Sequence, residues 1–484
     1  MCAMVFKSMS INIFMMNLLN ENILYFKCSK CGMNISPTLN VARCKECGGA
    51  LRVIYDYDGL ADTVRVKLRT KGRMSVWRYW DLLPLSRRAR PVTLLEGGTP
   101  LIKSRRLSRM LKVRLLLKNE TVNPTGSFLD RGSTVVISLI RRIHKRVCCI
   151  ANGNLGASLA AYAARSDISF RFFVTRPIDK GELYQMSALG AELIFSRSYD
   201  EALKQVLSDE ESYYVGCDNP FLLEGEKTTA FEIIEELRWK VPDWIIVPCG
   251  SGGHLSMIWK GIEELREIGL IDKAPRLVGV QPSAFPLLKL ILEGRRPLNM
   301  NYEVDTIARD LVLEGPLMIE EAAKAIRNSR GVAVIVDDEE ILDALKLLAR
   351  YEGIIAEPSS ASTLAALMKL LDNGIVDHDE EVVCIITGSG LKTQDVLSYA
   401  KRPSASHPLT ETKREILRLL KVLKRAHGYL LWKKLMEEGV SISLPALYHH
   451  LKELEETGYV KSQVVRCGRR IRKVYELSTA PKCS

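Results

Sequence analysis

A chain of 484 residues with 47% hydrophobic content is long enough for two or three domains that each bury a core, which excludes wholesale disorder. No run of about 20 apolar residues occurs, so no membrane span is expected. The net charge of +12 is uneven: residues 401–484 hold 18 Lys and Arg against 8 Glu, residues 1–90 are also basic, and the stretch between is acidic on balance. That distribution suits a polyanion met at the ends, the plainer reading being solvated surface.

Residues 1–25 read as a ragged N-terminus, with the start placed too early, because the apolar stretch 11–26 is broken by Asn and Glu and no small-residue cleavage site follows. Residues 26–55 are expected to form a zinc ribbon. Cys28, Cys31, Cys44 and Cys47 make CxxC, twelve residues, then CxxC, so each pair wraps one side of a tetrahedral ion, and Gly32, Gly48 and Gly49 supply the turns. Four thiolates leave no open coordination position, so the metal's role is structural. The remaining cysteines are scattered, which suits a reducing compartment, and the expected location is the cytoplasm.

Residues 56–400 form the body. Within it, short β-branched runs alternate with amphipathic helical stretches: RVCCIAN precedes LGASLAAYAAR, WIIVPCG precedes HLSMIWKGIEELREI, and EVVCIITGSG closes the series. Strand, glycine turn and helix in repetition predict an α/β fold whose mostly parallel sheet binds ligands at the carboxyl ends of its strands. Residues 401–409, KRPSASHPL, read as a linker. Residues 410–480 predict three helices and a basic hairpin, a winged helix-turn-helix. Ser443 is the cap and Pro445 sits in the first turn of the third helix, and Leu447, Leu451 and Leu454 make its inward stripe.

In order along the chain stand LLEGGTPLI (94–102), NPTGSFLDRG (123–132), GNLGASLAAYAA (153–164), NPFLLEGEKTTAFEI (219–233), VPCGSGGHLSMIWKG (247–261), AEPSSAS (356–362) and TGSGLK (387–392). Together with the ribbon they resemble threonine synthase, of the tryptophan-synthase-β-like, fold type II class of pyridoxal phosphate enzymes, which implies a two-lobed scaffold. HGYLLWKKL, ALYHHLKELEETGYV and GRRIRKVYEL resemble the PadR-type winged helices of transcription regulators.

The threonine synthase resemblance implies that Gly250, Ser251, Gly252, Gly253 and His254 cradle the cofactor phosphate, that Asn154 meets the ring hydroxyl and that Thr387 meets the pyridine nitrogen. The competing reading of these glycines is that strand-to-helix turns need them. It also implies losses. Leu129 stands where the family has the Schiff-base lysine, and a side chain without a lone pair can neither form that bond nor move protons. Gly216, Cys217 and Leu222 replace the Asn, Ser and Arg of the substrate-phosphate motif, and Ala151 and Leu155 replace hydroxyls. Lys118, Lys180, Lys260 and Lys392 are the candidates for a relocated amine, and nothing in the sequence places any of them beside Leu129. No catalytic residue is therefore expected.

The expected function is a ligand-responsive transcription regulator: a catalytically impaired threonine synthase-like body that holds pyridoxal phosphate or a related small molecule without a covalent bond, fused to a reader of double-stranded DNA. Tyr448, His449 and Lys452 of the third helix would reach base edges, and Arg466, Arg469, Arg470 and Arg472 of the wing would meet phosphates. A homodimer would present two readers to a two-fold site. The alternative is a pyridoxal phosphate-dependent lyase, converting O-phosphohomoserine to threonine with a relocated lysine.

Overall fold

The runs WIIVP (Trp244–Pro248), RLVGVQP (Arg276–Pro282) and EVVCII (Glu381–Ile386) are almost wholly buried and pair in parallel. Strands without polar alternation require cover on both faces of their sheet. They belong to a six-stranded sheet ordered Val332–Val336, Arg276–Pro282, Trp244–Pro248, Glu381–Ile386, Arg114–Asn119 and Leu101–Lys103, antiparallel only at the last pair. A second, wholly parallel sheet, ordered Glu192–Phe195, Ser169–Val174, Arg146–Cys149 and Ser212–Tyr214, builds the other lobe. The result is the two-lobed fold type II scaffold. The computed structural model describes residues 18–39, 43–150, 153–175, 178–209, 211–295, 305–313, 318–393, 411–440, 442–456, 458–467 and 470–478. The expected linker 401–409 and most of the expected ragged N-terminus lie outside them.

The N-terminal ribbon is a three-stranded antiparallel sheet in the order Asn34–Ile35, Ile23–Cys28, Leu51–Tyr55. It is seated on the body by its own core residues: Phe26 meets Phe221 edge-on with ring centroids 5.9 Å apart. Tyr55 donates to Glu224 at 2.8 Å, and Lys260, paired with Glu224, donates to the Val53 carbonyl at 2.7 Å. The ribbon thus completes the body's hydrophobic core rather than standing apart from it.

The C-terminal unit has helices Glu411–Leu423, Gly428–Glu437 and Leu444–Glu456 and a hairpin of Val460–Cys467 with Arg470–Leu477. Its separate core contains Leu447, Leu451 and Leu454, the stripe read from sequence, and Ser443 accepts the Ala446 N–H at 3.3 Å as its helix cap. A short strand, Arg425–His427, adds to the hairpin as a third strand. Sequence patterning missed it because three residues carry no period.

One buried ion network joins three segments of the body. Arg131 donates to Glu120 and Glu232, at 2.7 Å to each, and to Thr99 at 2.9 Å, while Lys118 donates to Glu232 at 2.9 Å. Arg131, Glu120 and Glu232 are fully buried. The positive neighbours hold both carboxylates below their ordinary pKa against the opposing cost of burial. Breaking such a network from one side leaves uncompensated charge in the core. Arg131→Met is therefore expected to cost about 3–5 kcal/mol, read as a lowered urea midpoint of the body, with little change in the C-terminal unit's separate core.

Candidate functional site

The NPTGSFLDRG segment is pinned in a fixed shape. Phe128 donates its N–H to the Thr387 carbonyl at 3.0 Å, and Ser389 donates to the Gly126 carbonyl at 2.8 Å, so the segment lies against the TGSG turn that follows Glu381–Ile386. Gly126 has φ +76°, a left-handed conformation that a side chain would strain. Asp130 braces the loop from inside by accepting from the Thr125 N–H and hydroxyl at 2.7 Å each and from Ser158 at 2.6 Å. Burial pushes the Asp130 carboxyl up to about 6 in spite of those donors. Leu129 then begins the helix Asp130–Ile140 and faces a cavity between the lobes, with only 7% of its surface exposed.

At one end of that cavity the strand Trp244–Pro248 turns through Gly250, Ser251 and Gly252 into the helix Gly253–Glu267. Gly252 has φ +86°, and a Cβ there would lie 2.7 Å from the Met318 carbonyl oxygen. First-turn N–H groups of a helix have no intrahelical acceptor, and they point at such a turn as anion donors. His254, in that first turn, stacks on Phe128 with centroids 4.0 Å apart. Its Nε2 is 3.3 Å from the Thr229 hydroxyl, whereas its buried Nδ1 has no partner among the described residues. Burial lowers the imidazole to about 3, so the ring is neutral.

A polar cluster also lines the cavity, and it reaches the glycine turn at Asp310, whose carbonyl oxygen would lie 3.0 Å from a Cβ at Gly250. Asn154 donates to Glu357 at 3.1 Å and to Asp310 at 3.2 Å, and its carbonyl oxygen accepts from Lys392. Lys392 is also 3.2 Å from Glu357. Burial drives Glu357 up to about 7, opposed by Lys392, and raises Glu182, whose carboxyl lies with those of Asp310 and Glu357. Burial works against the Lys392 charge, yet the Glu357 and Glu182 carboxylates outweigh it and hold the amine above its ordinary value. Thr387 is 2.9 Å from the Ser360 hydroxyl. Asn154 and Thr387 both line the cavity, and both already have protein partners.

The four lysines considered as relocated amines separate cleanly. Lys118 belongs to the Arg131 network, Lys260 sits beneath the ribbon, and Lys180 opens the helix Lys180–Ala188 without lining the cavity. Lys392 alone contacts cavity-wall groups, which the sequence gave no means of seeing, and it is held as an ammonium. An ammonium has no lone pair to attack a carbonyl. Of the positions read as losses, Cys217 lines the cavity, Leu222 and Leu155 are buried, and a Cβ at Gly216 would lie 2.7 Å from Asp218; Ala151 lies outside the described residues.

Glu226 was not singled out in the sequence. It ends the helix Pro220–Glu226, is 3% exposed, and lines the cavity together with Leu129. No hydrogen bond or ion pair to its carboxyl occurs among the described residues, and burial alone raises its pKa well above the ordinary carboxyl value.

In the ribbon the Cys28 and Cys47 sulfurs are 3.4 Å apart and the Cys31 and Cys44 sulfurs 3.7 Å apart, with all four within 4.8 Å of one another. Gly49 makes this approach feasible, since a Cβ there would lie 2.8 Å from the Cys28 sulfur. Four sulfurs and no oxygen donor form a set suited to a soft tetrahedral ion.

In the C-terminal unit Tyr448 and Lys452 are exposed, and His449 is half-exposed, 3.3 Å from Glu453 with its ring 5.8 Å from that of His378. His449 thus faces the body as well as solvent, which its place off the leucine stripe did not indicate. Arg466, Arg470 and Arg472 lie on the hairpin strands with side chains outside the described part, and Arg469 lies outside the described residues. The neighbouring His450 is fully buried, its Nε2 3.0 Å from the Asp372 carbonyl oxygen, and Arg414 pairs with Glu339 at 2.9 Å.

The family model described as pyridoxal-phosphate dependent enzyme matches residues 92–388. The chain belongs to the pyridoxal-phosphate dependent enzyme family. Within the family it is similar to threonine synthase of Methanocaldococcus jannaschii, 42% identical over 76% of this chain and 93% of that protein. It is also similar to threonine synthase of Methanosarcina acetivorans, 39% identical over 78% of this chain and 95% of that protein. Among solved structures, maize serine racemase (TM-score 0.52, 22% identity, 60% of this chain and 89% of that one) shares the fold. So does the processed threonine deaminase isoform 2 of Solanum lycopersicum (TM-score 0.53, 21% identity, 71% and 94%). Residues 416–481 match the transcriptional regulator PadR-like family.

The cavity of this family member carries a measurable electrostatic signature. With its folded pKa raised above the unfolded value, Glu226 has no effect on stability below the unfolded pKa and costs increasing stability as pH rises above it, because the unfolded chain releases the proton first. Glu226→Gln removes this cost. The thermal midpoint of the variant is expected to gain on the wild type steadily from pH 4.5 to pH 8; parallel curves would show that the carboxyl is ionised and paired.

Proposed function

We propose that this protein is a ligand-responsive transcription regulator in which the threonine synthase-like body is a receptor and the PadR-like unit reads double-stranded DNA. The observation that carries the reading is the helix Pro358–Asp372. It is preceded by Glu357 and carries Ser359 in its first turn, both on the cavity wall, and ends at Asp372, whose carbonyl oxygen is met by the buried His450 of the third winged helix. Fifteen residues of helix span about 22 Å, so one rigid element joins the ligand cavity to the helix that would enter the major groove.

The residues present suit a phosphorylated cofactor held without a covalent bond. The N–H groups of the Gly250–His254 turn would take the phosphate, and the left-handed Gly252 keeps that turn open to close approach. Pyridoxal phosphate, when bound through a lysine, supplies an electron sink for bonds at an amino-acid carbon. Leu129, at the position the resemblance gives to that lysine, holds no proton and offers no nucleophile. Asn154, Glu357 and Lys392 bind one another and orient the wall, and Leu129 excludes water beside it.

DNA contact would come from Tyr448, His449 and Lys452 at base edges, with the hairpin arginines at phosphates, and a homodimer would set two such units on a two-fold site. A ligand changes DNA affinity only if it prefers one of two states of this assembly. The second reading, a lyase with a relocated lysine, is supported by the nearness of Lys392 to the cavity and opposed by its ammonium state.

One experiment separates the two. Purified protein incubated with pyridoxal phosphate and reduced with borohydride is expected to yield no modified peptide, while duplex affinity changes by about 5- to 150-fold with the ligand and falls steeply with salt. His450→Ala, which removes the ring whose Nε2 reaches the Asp372 carbonyl oxygen, should reduce the ligand's effect on DNA. A stoichiometric adduct on Lys392 with threonine formation would establish the lyase instead. For the ribbon, we propose structural zinc on Cys28, Cys31, Cys44 and Cys47, with one zinc per chain by metal analysis and loss of the metal in Cys31→Ser.

A further inference from the structure

Three acidic side chains, Glu226, Asp310 and Glu357, line the cavity, and no lysine or arginine stands among its described lining residues. Two of the three are accounted for: Asp310 and Glu357 both accept from Asn154, and Glu357 is paired with Lys392 behind the wall. Glu226 is different. Its buried carboxyl has no protein donor, and a buried polar group is costly until something supplies the missing bond. The one imidazole among the described lining residues, His254, is neutral. Leu129 offers no charge. The lining thus offers the Glu226 carboxyl to a cation of the ligand, while the glycine turn is arranged to receive an anion.

We infer that the cavity selects a phosphate monoester that brings its own primary ammonium group, the amine form of the vitamer, pyridoxamine 5′-phosphate, rather than the aldehyde, with Glu226 as the counter-ion of that ammonium. This rests on the cavity being the cofactor site proposed above. The loss of a protein amine at Leu129 and the presence of an unpartnered acid at Glu226 are then two halves of one change. An enzyme that binds an aldehyde through lysine needs the amine on the protein; a receptor for the amine needs that position uncharged and a carboxylate nearby. Asp310 and Glu357 do not serve in its place because Asn154 and Lys392 already draw on them. No bond to carbon is made or broken; burial biases Glu226 toward its protonated form in the empty cavity, and it gives that proton to solvent as the ligand's ammonium arrives.

The test is calorimetric titration of the full-length, zinc-loaded chain with pyridoxamine 5′-phosphate, pyridoxine 5′-phosphate and O-phosphoserine. Pyridoxine phosphate keeps ring and phosphate but carries a hydroxyl for the ammonium; O-phosphoserine keeps phosphate and ammonium, has no ring and adds a carboxylate. The expected result is that the pyridoxamine form binds about tenfold or more tighter than either, in line with a charge-assisted pair in a buried wall. Glu226→Gln should bring the pyridoxamine and pyridoxine forms to within about threefold, chiefly by weakening the amine. Should that variant fail to fold, Leu129→Lys supplies an independent arm: a protein ammonium beside the site is expected to abolish the preference for the amine ligand and to give a borohydride-reducible adduct with the aldehyde. Equal binding of the amine and alcohol forms by the wild type, or an unaltered preference in Glu226→Gln, overturns the inference while leaving the cofactor cavity standing. O-Phosphoserine binding as tightly as pyridoxamine phosphate overturns the assignment of the aromatic amine. Binding of none of the three overturns both this inference and the cavity reading.

Discussion

Arg131 has no contact with water and no freedom to lose its charge, so every element that touches it is fixed by the need to keep it paired. Its guanidinium gathers Glu120 from just beyond the strand Arg114–Asn119, Glu232 from the helix Thr228–Glu236, and Thr99 from the segment before the first strand of the large sheet. Arg131 itself lies in the first turn of the helix that Leu129 begins. The position of the loop at the cavity is therefore set from below by a charge network whose disruption would be felt across the body. Leu129 faces the cavity and has no bond to that network, which is how a side chain at position 129 can differ in chemistry without altering the scaffold.

Above this base the cavity is governed by an excess of acid. Four ionisable side chains, Glu182, Asp310, Glu357 and Lys392, meet around Asn154, and a single ammonium cannot neutralise three carboxyls in a buried setting. The arrangement answers by keeping protons: Glu182 and Glu357 both lie above their ordinary values. Desolvation and mutual repulsion thus act together, and the wall stays close to neutral at the expense of acids that are reluctant to ionise. The ribbon contributes from outside by covering Glu224, Lys227 and Lys260, whose charges are likewise satisfied only within the assembled core.

Much of this was legible in the chain. The two CxxC pairs announce a four-sulfur cluster because ligand spacing is local, and the C-terminal helices announce themselves through Leu447, Leu451 and Leu454 because a helix repeats its buried face every three to four residues. The parallel strands were readable from unbroken β-branched runs. What stayed hidden were meetings between distant segments. Asn154, Asp310, Glu357 and Lys392 are scattered over more than 200 residues, and no period relates them. Glu226 carried no signal in the sequence, because its lack of a partner depends on which distant residues surround it. The docking of His450 on Asp372 was equally invisible, since a histidine beside an exposed histidine gives no sign of which one is buried.

Leu129 has a consequence for time as well as for chemistry. On the receptor reading proposed above, the cavity would hold its ligand without a covalent bond, and a molecule so held leaves in the form in which it arrived. Catalysts deplete what they bind, so their occupancy reports a rate of supply. A non-consuming cavity fills and empties with the surrounding concentration in both directions, and its occupancy retains no memory beyond the residence time of a single visit.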